Sequence, residues 1–269
     1  MKLERDIILS GVHIGEHSFV PEEIKHEIYD RVIKPGYNFV TIRPKRNIEL
    51  APHYFVEWAE YLAKHEVYFV FLYTIQNAPA KKGTYLDKET VTEMKRVAGK
   101  YFIGDMIGET GSSVACKWPG YYDKSSVENW DSHIGTKKHP DMKAAHDAYV
   151  KEVSKLVELD HSLGIDDVVS VEATGLNKYN AEAGVTIPML ELMCGSPDRL
   201  VSSLRGMARA FDSKFLLTIS LKHFLALSLP VKYSRAITEL SLITTLLMKI
   251  CIIPVPRALH VTRYTLRDM

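Results

Sequence analysis

Short runs that are apolar on both faces alternate with helix-forming stretches six times between residues 6 and 211, and few folds accept that order. Residues 6–15 are β-branched and apolar and close on Gly15, as a strand buried on both faces does. Pro21, Glu22 and Glu23 then open a helix that runs to about Ile33 and stops before Pro35 and Gly36. Residues 37–44 and 67–74 read as strands two and three, separated by a helix from about Pro52 to Lys64 with Phe55, Ala59 and Leu62 on one face. Asp87 caps a helix that ends at Gly99, and strand four follows, carrying Glu109 into a loop of Gly, Ser and Thr. A helix from about Pro140 to Leu163 leads to strand five, residues 167–174, and strand six is residues 186–193. Gly195-Ser196-Pro197-Asp198 starts a helix that reaches Phe211.

Strict alternation of this kind predicts a parallel sheet with right-handed crossovers. A repeat of roughly 30 residues matches an α/β (β/α)8 TIM barrel. A doubly wound sheet is the alternative, but no strand is followed by a Gly-x-Gly-x-x-Gly turn and there is no Walker pattern. About six β/α units are clear, so the barrel reads as incomplete. Of 269 residues, 46% are hydrophobic, enough for one large core.

Composition changes near residue 214. All 15 glycines precede it, and residues 214–269 hold two acids, Glu239 and Asp268, against eight Lys and Arg. The expected division is therefore a barrel domain at 1–213 and an atypical apolar and basic tail at 214–269, where the last β/α units are due. One reading of the tail is a hydrophobic helical end packed on the barrel. The preferred one is that the natural reading frame is lost near Lys214. A barrel lacking its last two units would leave strands one and six with unpaired edges.

The net charge of +1 gives no electrostatic reason to expect nucleic acid or an anionic membrane as a partner. No run of about 18 apolar residues suggests a membrane span. The first residues carry no signal region, which suits a cytoplasmic protein, or a periplasmic or secreted one whose leader is removed. Cys116, Cys194 and Cys251 match neither a metal spacing nor a disulfide framework.

Chemistry in a parallel barrel is placed where the strands end. Three expected strands end in or carry a glutamate: Glu109, Glu172 and Glu191. Convergent carboxylates suit glycoside hydrolysis, in which one protonates the leaving oxygen and the other attacks the anomeric carbon or activates water. Arg43, past strand two, would hold a carboxylate ionised, and Tyr73, at the end of strand three, would hydrogen-bond a sugar. His13 stands at the end of strand one. The stretch 110–136 is too long for a plain connection, and its Trp118, Tyr121, Tyr122 and Trp130 offer flat faces for sugar rings. Each residue also has an ordinary structural reading: Glu172 as a loop cap, Glu191 turned outward to a helix, Arg43 as a solvated strand end. A second hypothesis, a metal-dependent sugar isomerase or epimerase, would use Glu109, Glu172 and His13 as ligands. A third is a barrel that binds a saccharide without turnover.

Residues 6–211 resemble uncharacterised TIM-barrel glycoside hydrolase-like proteins of polysaccharide-degrading bacteria, a clan-A-like group. The resemblance is carried by residues 102–109, 171–175 and 188–195. It implies a hydrolase acting on an oligo- or polysaccharide without a cofactor, with Glu109 in the place of the acid/base. In the related retaining clan that Glu is preceded by Asn, where this chain has Gly108. The clan's nucleophile is a Glu at the end of strand seven. No Glu follows residues 215–220 until Glu239, so the resemblance implies that the nucleophile is absent.

Overall fold

A computed structural model describes residues 9–14, 23–43, 51–72, 86–110, 139–172, 175–192, 196–219 and 250–252. Strands β1 (Ser10–Ile14), β2 (Phe39–Ile42), β3 (Tyr68–Leu72), β4 (Phe102–Met106), β5 (Asp167–Glu172), β6 (Ile187–Leu192) and β7 (Leu216–Ile219) pair in sequence order, each parallel to the next. A short β8 (Ile250–Ile252) closes the ring and runs antiparallel to both β7 and β1. The architecture is an α/β barrel of the TIM type, incomplete in that its eighth strand is not the parallel one the fold uses.

The helices are α1 (Ile24–Ile28), continued by a π-turn at Tyr29–Ile33, α2 (Pro52–Lys64), α3 (Lys88–Ala98), α4 (Met142–Ser162), α5 (Asn177–Glu182) and α6 (Pro197–Ala210). Helices α2, α3 and α6 start where Pro52, Asp87 and Pro197 mark a start in the sequence. The Asp87 carboxylate accepts from the Thr90 amide at 2.7 Å to start α3, and Gly99, at φ +52°, ends it. Asp141 caps α4 in the same way through the Ala144 amide. Helix α5 is a finding of the structure: its buried stations include Asn177 and Asn180, so it has no apolar period to read.

Strand parity sorts the core. Phe39, Val70, Ile103, Val169, Met189 and Leu216 fill the barrel interior. Val40, Ile42, Phe69 and Phe71 point outward against α1, α2 and α3, where Phe55 meets Phe71 edge to face at 5.0 Å. Beneath α4 and α5 lie Ile107 and Val168, and beneath α6 lies Leu190. A register irregularity in β4 puts Phe102 opposite Phe69 but Gly104 opposite Val70, so Ile103 is the extra residue.

One expectation is corrected. The edges of β1 and β6 are paired: Met189 sits opposite Leu216 and Ser10 opposite Cys251. Residues 216–219 take the seventh position as a parallel strand, because Leu216 and Leu217 fit the alternation of a doubly buried strand.

Candidate active site

Seven parallel strands bring their C-terminal ends to one mouth. On β1 and β2, His13 and Thr41 are register partners, and their side chains share a hydrogen bond of 2.8 Å between Nδ1 and Oγ1. The Arg43 amide continues the ladder to the Ile14 carbonyl. By alternation from Phe39 and Thr41, Arg43 lies on the barrel-facing side. The Arg31 guanidinium, on the π-turn after α1, donates to the His13 carbonyl at 3.2 Å and lies 3.7 Å from Glu27. Burial lowers the His13 pKa to about 4, and the charges of Arg43 and then Arg31 push the same way. His13 is therefore neutral at pH 7: a polar imidazole beside a fixed cation.

The three glutamates part company. Glu191 has the parity of Ile187 and Met189, which face the interior, and it is half-buried at the end of β6. This is the opposite of an outward, helix-facing placement. Glu172 has the parity of Val168 and Ser170, which face α4 and α5. It is 2% exposed, and its Oε1 accepts from the Thr110 hydroxyl at 2.6 Å. Around that bond Tyr149 of α4 reaches Asn180 Oδ1 at 2.7 Å and Thr110 Oγ1 at 2.8 Å, and the Asn180 amide donates to Ser170 at 3.2 Å. Burial, and then the Glu172 charge, push the Tyr149 phenol well above its ordinary range, so it stays a donor.

Glu109 is half-buried just past β4. The ladder to β5 continues beyond the strand: Ile107 N bonds to Val169 O at 2.8 Å and Val171 N to Gly108 O at 3.1 Å. Gly108, at φ +82°, turns the chain out of the extended form, which a side chain would resist.

Tyr73, Trp118, Tyr121, Tyr122 and Trp130 lie outside the described residues. The proposed metal ligands do not fit one ion, because His13 faces the interior while Glu172 faces the helices. Among the described residues no three His, Cys, Asp or Glu gather as a metal site. His146 is turned to α5 at the surface, between Glu182 at 2.6 Å and Asp147 at 2.9 Å.

Residues that the sequence reading passed over make much of this geometry: Thr41, Thr110, Tyr149 and Asn180. A signal for Tyr149 existed, since Tyr149, Val153 and Val157 form the buried stripe of α4.

No protein-family profile matches the chain, and no curated protein matches it. Among solved structures it is similar to a dipeptide epimerase from Enterococcus faecalis V583, with a TM-score of 0.39 and 8% identity, over 80% of this chain and 48% of that one. It is also similar to a D-psicose 3-epimerase determined in the presence of D-fructose, with a TM-score of 0.37 and 12% identity, over 67% of this chain and 62% of that one. The chain thus spans about half the length of the first and under two thirds of the second.

Proposed function

We propose that the barrel mouth binds a sugar and moves a proton on it, as a sugar isomerase or epimerase does. The reading rests on one contrast. Glu191 shares the barrel-facing parity of Met189 at the same end as His13 and Arg43, whereas Glu172 is engaged by Thr110 in the helix layer.

In this reading a carboxylate, Glu191 or Glu109, takes the proton from the carbon beside the sugar's carbonyl. The electron pair left behind moves toward the carbonyl oxygen, giving an enediolate. A neutral imidazole and a guanidinium suit that developing charge: the His13 N–H donates without first losing a proton, and Arg43 supplies a fixed positive charge. The other residue, entering as the carboxylic acid, gives a proton to the opposite face of the same carbon for epimerisation. For isomerisation the proton goes to the former carbonyl carbon, and the hydroxyl proton of the deprotonated carbon passes to the former carbonyl oxygen, so that the carbonyl moves by one carbon.

Glycoside hydrolysis is the second reading, and it too would need Glu109 and Glu191, since Glu172 faces away from the mouth. Two substrate panels separate the readings: free aldoses and ketoses followed for interconversion, and aryl-glycosides followed for phenol release. Interconversion that is lost in Glu191→Gln and Glu109→Gln supports proton transfer. Phenol release without interconversion replaces it with hydrolysis.

A further inference from the structure

We infer that Thr110 and Glu172 are positioning residues that seat Glu109 at the mouth, so that Glu172 serves the chemistry through Thr110 rather than by touching substrate. The inference rests on the reading of Glu109 as a proton-moving carboxylate. It deepens that reading by assigning what holds the group.

Glu109 belongs to no regular element, yet both of its chain neighbours are fixed to β5 or to what packs on it. On one side the Gly108 carbonyl accepts from the Val171 amide at 3.1 Å, so the backbone is held in register up to the residue before the glutamate. On the other side Thr110 is wholly buried and its hydroxyl lies 2.6 Å from Glu172 Oε1. Two fixed points two residues apart, with Glu109 between them, leave its Cα little room to move.

Proton accounting gives the bonds a direction. Thr110 carries one hydroxyl proton, and the carboxylate at 2.6 Å is a better acceptor than the Asn180 carbonyl at 3.0 Å. Thr110 thus donates to Glu172 and its oxygen receives from Tyr149, whose proton is shared between Thr110 Oγ1 and Asn180 Oδ1. Asn180 is itself oriented by its donation to Ser170. The bonds are buried, and the residues that make them come from the segment after β4, from β5 and from both helices beside it. A carboxylate at Glu172 suits the Thr110 hydroxyl that donates to it, because a charge-assisted bond is about twice as strong as a neutral one.

The test compares the full chain with Thr110→Val, Thr110→Ser, Glu172→Gln and Glu109→Gln. Two readouts are taken: amide hydrogen exchange at residues 108–110, which needs no substrate, and turnover of free ketohexoses and aldohexoses. In Thr110→Val, exchange at Glu109 is expected to rise roughly tenfold or more. Its kcat is expected to fall by about 100-fold with KM within about twofold, the size of effect a 1 Å misplacement has. Thr110→Ser, which keeps the hydroxyl, is expected to restore both. A general structural defect would instead lower the active fraction and would raise exchange across the barrel. Should Thr110→Val fail to fold, Glu172→Gln, which keeps an acceptor oxygen but loses its charge, is expected to show the same changes in smaller measure. Wild-type exchange and wild-type kcat in the folded variants overturn the positioning role. Full turnover in Glu109→Gln overturns the catalytic reading on which the inference rests, and that failure is recognisable because the exchange result does not depend on it.

Discussion

Asp105 of β4 and Asp160 of α4 are both 0% exposed, and the charge of Asp105 acts on the Asp160 carboxyl. Burial raises the Asp160 pKa to about 9, and the charge of Asp105 adds to the shift. The pair therefore carries a proton at neutral pH that either carboxyl would give up in water. The sequence signal lay in α4, where Asp160 extends the buried series Tyr149, Val153 and Val157 by one helical step.

Below about pH 4 the acid is protonated in both folded and unfolded chains and adds no pH dependence. Between about pH 4 and about pH 9 the unfolded chain releases a proton that the folded chain retains, so stability falls as pH rises. Asp160→Asn is expected to raise the unfolding midpoint at pH 8 and to leave it nearly unchanged at pH 4. Denaturant unfolding at the two values checks this; equal effects at both would contradict it.

His13 has the opposite signature. Its folded pKa of about 4 lies below the ordinary value of 6.5, so as pH falls from 6.5 toward 4 the unfolded chain takes up a proton that the folded chain refuses. That contribution to stability is present above pH 6.5 and is lost through this window. NMR titration of the His13 ring should stay flat from pH 8 to about pH 5. An inflection between pH 6 and 7 would show that the ring is charged near neutrality and would remove the neutral donor from the proposed chemistry.

Gly104 tests the register irregularity in β4. A Cβ on it would stand 1.8 Å from the Asp167 carbonyl oxygen, backbone that cannot step aside without moving β5. Gly104→Ala is expected to cost about 3 kcal/mol or more. Gly206→Ala on α6, where nothing lies within 4 Å of the added Cβ, is the control, expected to be neutral or slightly stabilising. Equal stabilities of the two variants would contradict the register assigned to β4 and β5.

Much of the barrel was legible because its signals are local. The unbroken apolar run of β3, Asp87 before α3 and Gly99 after it, and Pro52 and Pro197 at helix starts each mark an element by short-range physics. What stayed hidden depends on facing. In a strand buried on both sides, apolar residues alternate with apolar residues, so nothing tells the inward set from the outward one. Glu172 and Glu191 look alike in the sequence, yet one faces the helices and the other the interior. Ser170, two residues before Glu172 and bonded to Asn180, was the one polar hint of the outward face. The direction of β8 was unreadable for another reason: three residues carry no directional signal of their own.

The composition of the tail leads to a separate prediction. Residues 214–219 include a regular parallel β7, so we propose that any departure from the fold's native end begins after Ile219. Translating the two other frames past codon 219 is expected to yield, in one of them, the Gly turns that residues 220–269 lack and more acids than their two, Glu239 and Asp268. Their absence from both frames would contradict the proposal.

Proton transfer on a sugar carbon is read most directly by solvent deuterium incorporation. Free ketohexoses and aldohexoses incubated with the chain in deuterium oxide, followed by NMR, should gain deuterium at the carbon beside the carbonyl. The gain should be lost in Glu191→Gln and in Glu109→Gln. No incorporation into any of these sugars, together with release of phenol from aryl-glycosides by the same preparation, would replace proton transfer with hydrolysis.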